Sequence, residues 1–263
     1  MHCFPSRASG VAMRASALVL ILIVSALALP GRSGAAAEPR LEAVVSALES
    51  PFREGAAAQS AIADFEADFF QKAYLVSLDR LQEGRGRVAV KFDRTGTDGL
   101  PRTLFRWEYE QPAVQQIVSD GRTMWVYLPE NRQVLRSEID LAAPTRPDDP
   151  LIFLTGLGNL ERDFHIAWAV PDRDAAGNFV LELKPRASST FIQSLMFVVD
   201  RGAVASPKNA DFPILSATLF DPGGNRTTIE FARGRTNQGL PDSRFRFEVP
   251  EGVEIFNPAD LMQ

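Results

Sequence analysis

Only one of the 263 residues is cysteine and only two are histidine. Cys3 and His2 both precede a long uncharged run near the start, so everything after it has no thiol and a single imidazole, His165. Those absences exclude a disulfide framework, a cysteine nucleophile and the Cys/His sets that hold structural zinc. They leave a Ser-His-Asp triad one candidate base, and His165 stands in "DFHIAW" at strand spacing, where a hydrogen-bonded strand histidine is the plainer reading. A basic excess is missing too, with 28 Lys and Arg against 33 Asp and Glu. Nucleic acid as a partner would call for a basic footprint.

Long apolar runs are confined to one, "ASALVLILIVSALAL" from Ala15 to Leu29. It is shorter than the roughly 20 residues that span a bilayer. Arg7 and Arg14 precede it, and Pro30 and the small-residue stretch "GAAAE" come after, so residues 1–37 read as a secretory signal peptide cleaved after Ala37. That leader holds three arginines and no acid; without it the chain carries 25 basic and 33 acidic residues, a balance of −8. The remaining 226 residues suffice for one domain with a sizeable core, and no linker, repeat or second composition regime divides them. Residues 38–263 are therefore expected to form a single exported domain held by packing alone.

Periodicity sets the expected elements. Leu41, Val44, Val45, Leu48 and Phe52 recur at helical spacing, which predicts one amphipathic helix from Glu38 to about Gly55. Most of the chain beyond Gly55 alternates with period two. "DFEADFFQKAYLVSL", "GRGRVAVKF", "TLFRWEYE", "QQIVSD", "RTMWVYL", "RQVLRSEI", "DFHIAWAV", "NFVLELK", "FIQSLMFVV", "PILSATLF", "RTTIEFA" and "RFRFEV" are predicted strands of an antiparallel sheet. Turn dipeptides such as Asp120-Gly121, Glu130-Asn131 and Gly177-Asn178 link neighbours into hairpins. One interruption is expected in "TRPDDPLIFLTGLGNL", where Asp148 or Asp149 can cap, Pro150 suits a first turn and Gly-x-Gly ends a short apolar helix. Surface insertions are expected around Asp93–Pro101 and Ala205–Phe212.

None of the polar motifs assembles a reaction centre. "DRTGTDG" from Asp93 lacks the closing glutamate of a calcium loop, and "GRGR" at Gly84 lacks the Lys-Ser/Thr ending of a phosphate loop. Glu108 and Glu110 share a strand face opposite Phe105, Trp107 and Tyr109, which makes them a solvated face. No metal, cofactor or enzymatic activity is expected. The stretch "LFRWEYEQPAVQQIVSDGRTMWVYLP" is more informative. With Asp120-Gly121 as a two-residue loop, Ile117 pairs with Met124, so that Ile117, Met124, Val126 and Leu128 share one face and Val118, Trp125 and Tyr127 the other. Both faces of that hairpin are apolar. A sheet with more apolar face than two helices can cover either packs as a sandwich or curls around an interior, and pattern alone leaves both open.

These residues resemble a known family, the LolA outer-membrane lipoprotein carriers. The resemblance rests on "DFEADFFQK", "QEGRGRVAV", "LFRWEYEQP", "IVSDGRTMWVYLPENRQV", "DDPLIFL", "LELKPRAS" and "FRFEVPEGVEIF", in order from about Leu41 to Phe256. It implies a mainly β fold with short helices, a half-open incomplete antiparallel β-barrel whose hydrophobic cavity is lidded by helices. It also implies a monomeric, periplasmic, non-enzymatic carrier of acylated lipoproteins. Cargo would come from an inner-membrane ABC lipoprotein-releasing transporter and pass to an outer-membrane acceptor lipoprotein. Carried onto this sequence, Phe105, Trp107 and Ile117 would line the cavity, Leu151 and Leu154 the lid, and Leu48 the first helix. Many members place Arg-Pro before the Phe-x-Trp block as a lid latch. In this chain the order is Pro101-Arg102, and the resemblance implies Arg102 as the residue that would substitute. Two further readings on the same fold are a lipid-sensing regulator of the envelope and a carrier of another amphiphile such as a glycolipid. Such regulators usually carry an extra C-terminal domain, whereas this sequence stops soon after "EGVEIF", which favours the carrier.

Overall fold

Period-two alternation organises most of the chain in the computed structural model, which describes residues 39–94, 102–139 and 154–257. The strands are β1 (Asp64–Leu75), β2 (Arg80–Asp93), β3 (Arg102–Gln111), β4 (Gln115–Ser119), β5 (Thr123–Leu128) and β6 (Gln133–Glu138). They continue with β7 (Phe164–Arg173), β8 (Phe179–Pro185), β9 (Ser194–Val199), β10 (Ile214–Phe220), β11 (Arg226–Thr236) and β12 (Glu254–Phe256). All belong to one sheet in the order β12-β6-β5-β4-β3-β2-β1-β11-β10-β9-β8-β7. Two antiparallel meanders, β1 to β6 and β7 to β11, meet where β1 pairs antiparallel with β11. Among the described residues the end strands β12 and β7 do not pair, so the sheet is an open, incomplete barrel. β12 lies parallel to β6, the one parallel pairing among the described strands.

One face of the sheet is continuously apolar. Phe65 and Phe69 of β1, Val88 and Val90 of β2, Phe105 and Trp107 of β3, Phe197 of β9 and Ile229 of β11 share a single buried cluster. Helix α1 (Leu41–Glu49) contributes Val44, Val45 and Leu48 to it, and a 3-10 segment, Leu154–Asn159, contributes Leu154 and Leu157. A four-residue helix, α2 (Leu160–Asp163), comes directly after. The opposite face is covered locally, where Phe245 and Leu240 bury Ala89 and Leu104.

Five expectations change. Gly156 and Gly158, expected to end a short apolar helix, lie inside the Leu154–Asn159 3-10 segment, and helical chain runs on through α2; the expected start at 148–150 lies outside the described residues. The first helix ends at Glu49 and passes into a 3-10 turn, Ser50–Phe52, with Pro51 in its first positions, where a ring without an N–H cannot continue an α-helix. "RFRFEV" is not a strand but a 3-10 turn (Asp242–Phe245) and extended chain. Its carbonyls at Arg244 and Arg246 are taken by the Arg106 side chain instead of a neighbouring strand, and Phe247 packs on Trp125 and Tyr127. The 205–212 segment is not a mere surface insertion. After α3 (Arg201–Ala205), Ala210 is buried and Phe212 stacks on Phe65 with ring centroids 3.8 Å apart. Finally, the β4–β5 turn centres on Gly121-Arg122, one residue later than expected, so Ile117 pairs with Val126 and Ser119 with Met124. The reason is chemical: the Asp120 carboxylate accepts the Arg122 and Thr123 amides at 2.9 and 2.8 Å, and Gly121 takes φ +87°. The partner register moves by two, so every side chain keeps its expected face.

Candidate functional site

Two rows of side chains cross the apolar face. Phe65, Val90, Phe105, Ser119 and Met124 lie opposite one another along the first, and Ala67, Val88, Trp107, Ile117 and Val126 along the second. A third row is built around a gap. At Gly86 an added Cβ would fall 1.9 Å from the Glu108 carbonyl oxygen and 3.0 Å from the Phe69 ring, and the β2–β3 register shifts there. The second glycine of "GRGR" thus lets a bulge form and lets Phe69 lie across the strand, 4.5 Å from Trp107 and 4.9 Å from Tyr109. Phe231 and Phe212 extend the same aromatic array toward Phe52.

The helical cover is tied together by polar contacts. Glu49, the last residue of α1, is fully buried; its carboxylate accepts the Glu161 amide at 2.8 Å and pairs with Arg53. Arg53 also donates to the Gly158 carbonyl at 3.3 Å. Gly158 keeps that approach close, since an added Cβ would stand 3.2 Å from the Phe52 carbonyl oxygen. Arg94, just past the end of β2, anchors the cover to the sheet. Its guanidinium donates to the carbonyls of Pro51, Phe52 and Ile62, the last at 2.7 Å, and burial pulls its pKa below the ordinary arginine value.

Leu48, Phe105, Trp107, Ile117 and Leu154 are 0, 3, 0, 9 and 1 % exposed and share one cluster. The fold therefore brings five of the six apolar candidates together, while Leu151 lies outside the described residues. Among the described residues Arg102 pairs with Asp93 at 3.1 Å across the start of the β2–β3 ladder, a contact between two strands. Arg94, among the described residues, reaches the helical cover from the sheet, and it gives no signal in the sequence because it sits eleven residues before Phe105. Glu49 is equally hidden. A lone acid ending an amphipathic helix reads as solvated until a second helix start is found above it.

A carboxyl and a phenol with displaced pKa values stand at turns. The Asn178 side-chain bond holds the Asp174 carboxyl below its ordinary range at an exposed turn, and a bond to Asp79 raises the Tyr74 phenol at another. Exposed His165 faces the Arg186 guanidinium at 3.1 Å. Among the described residues no group of three His, Cys, Asp or Glu could hold a metal ion, and no helix is long and apolar enough to cross a membrane.

Residues 60–248 match the family model described as "Outer membrane lipoprotein carrier protein LolA". A protein of Azotobacter vinelandii named outer-membrane lipoprotein carrier protein is 31% identical over 190 residues, covering 72% of this chain and 79% of that protein. One of the same name from Chromobacterium violaceum is 31% identical over 189 residues, with the same coverages. Among solved structures, a LolA superfamily protein from Nitrosomonas europaea aligns with 80% of this chain and 99% of its own, at 14% identity and TM-score 0.39.

Proposed function

The chain belongs to the LolA family of outer-membrane lipoprotein carrier proteins, and from that membership we propose that it is a periplasmic, non-enzymatic carrier of acylated lipoproteins. It would accept them from an inner-membrane releasing transporter and deliver them to an acceptor lipoprotein at the outer membrane. The observation that supports this reading is the apolar face itself, on which aromatic and aliphatic side chains from β1 to β4 lie beneath two helical segments. Those segments are held to each other and to the sheet by a few side-chain bonds.

The physics of such a site suits transfer. Each methylene of an acyl chain moved out of water is worth about 0.8 kcal/mol, so a wall of Phe105, Trp107, Ile117 and Leu48 has ample driving force without charged contacts. Release is the harder half, and it favours a cover that can lift. On this reading α1 and the Leu154–Asp163 segment swing away from the sheet, and acyl chains replace Leu48, Leu154 and Leu157 against β3 and β4. Arg94 takes the latch role, with Arg102 supporting the strand beside it.

The test is to purify the protein from its own periplasm, identify bound species by mass spectrometry, and track handover to outer-membrane acceptor. Recovery of triacylated lipoprotein is expected. Recovery of a glycolipid would move the protein to another cargo, and persistent absence of any acylated species would remove the carrier reading.

A further inference from the structure

Buried polar groups in the described residues are nearly all partnered. Asp64 accepts the amides of Gln238, Gly239 and Leu240 at 2.6, 2.9 and 3.1 Å. Ser119 accepts the Gly121 amide at 3.0 Å, and the Asn178 side chain donates to Asp174 at 2.9 Å. Even the half-buried Tyr109 hydroxyl reaches Gln71 at 2.7 Å. Trp107 is different. It is fully buried at the centre of the apolar face, and its indole Nε1–H has no hydrogen-bond partner among the described residues. Arg102 Nε is the other orphan, but that guanidinium is paired through Nη2 with Asp93. A buried donor left unpaired is unfavourable, and each such group in a folded protein calls for a reason.

We infer that the Trp107 indole N–H is a specificity-determining donor for an acyl carbonyl of the cargo, the neutral oxygen that joins fatty chain to headgroup. This inference rests on the carrier reading and adds which atom of the lipid the face recognises. The chemistry of both sides supports it. An indole N–H only donates and carries no charge, so its match is a neutral acceptor. Around it stand Val88 and Ile117 on the adjoining strands and the rings of Phe69 and Phe231. Those surroundings would strip water from a phosphate without compensating its charge, whereas an ester or amide carbonyl enters an apolar site at much smaller cost. A hydrocarbon wall alone grips methylenes without register. One donor at its centre fixes how deep the chains sit, because only one depth brings the carbonyl to the nitrogen.

The experiment compares two synthetic lipopeptides on the purified protein, one with two O-palmitoyl esters on the glyceryl group and a free amine, the other with the same chains as ethers. The wild-type protein should bind the diester about five- to tenfold more tightly than the diether, the effect of one buried hydrogen bond. Trp107→Phe keeps an aromatic ring and should bring that ratio to about one. In the unaltered protein labelled with 15N, the Trp107 indole resonance should move downfield with diester and not with diether. N-acetylating the diether adds an amide carbonyl without a third long chain: affinity that rises in the wild type and not in Trp107→Phe shows that the donor also takes the amide carbonyl, and unchanged affinity confines the contact to the ester. Binding of diester and diether with equal affinity by the wild type, or a ratio that persists in Trp107→Phe, overturns the donor role while leaving the carrier reading intact. Failure of the wild type to bind any of the probes overturns both.

Discussion

Phe105 and Arg94 carry the sharpest expectations at the scale of single residues. Phe105 lies between Val90 and Ser119 on the apolar face and is almost fully buried. Phe105→Glu would place a carboxylate where an acyl chain is expected to lie, so lipopeptide uptake should fall below detection. Circular dichroism should retain the β spectrum, because the ladder on either side is backbone-bonded; undiminished uptake would put the cargo on another surface. Arg94 holds three carbonyls of the 51–62 segment. Arg94→Met should cost about 1–3 kcal/mol in urea unfolding, the range for removing charged donors from part-buried acceptors. Amide exchange should quicken between residues 50 and 62. Arg102→Met loses one part-buried ion pair, with Asp93, where Arg94→Met loses contacts to three carbonyls, and should cost less than Arg94→Met. Equal losses, or faster exchange in Arg102→Met alone, would return the latch to Arg102.

Elements show what alternation does and does not convey. The pattern Phe105, Trp107, Tyr109 is enough to place β3 with the correct face inward, and "GRGRVAVKF" is enough to place β2. What alternation cannot carry is the identity of the partner. Arg244–Val249 alternates as well as any strand, yet Phe245 packs across the sheet's other face, and the Arg106 side chain satisfies two of its carbonyls. Glu254–Phe256 is too short to register as a strand, and it pairs only because the preceding chain delivers it beside β6. The same blindness hides Arg94 and Glu49, whose roles depend on backbone groups remote in sequence. Glycine positions are more legible once the bulge is known. Gly86→Ala must push the Glu108 carbonyl aside, with ladder pairing lost near Phe69, and a loss of about 2 kcal/mol or more in thermal or chemical unfolding is expected. The neighbouring Gly84→Ala meets its nearest atom at 3.3 Å and should be much milder. A reversed order would mean that the bulge is absent in solution.

At the scale of the whole sheet, an open barrel exposes two edges that could recruit further strands. Both are blunted. β12 offers only three residues, and β7 is broken by a register shift between Trp168 and Arg173 that contains Pro171, which has no N–H to give. Sedimentation at micromolar concentration should therefore show a monomer; a concentration-dependent dimer abolished by a charge at the 98 % exposed Val170 would identify β7 as a pairing edge instead. The junction of the two meanders bears on the order of events in folding. Phe65 pairs with Thr236 and Tyr74 with Arg226, so β1 waits for a strand made long after it, β11. Each meander can zip from its own turns, but the apolar face they share cannot be completed until the C-terminal third of the chain is present. Such non-local pairing is slow to form. A nascent chain of this design keeps its first strand without one of its two partners, and so its sheet unfinished, until β11 has left the ribosome.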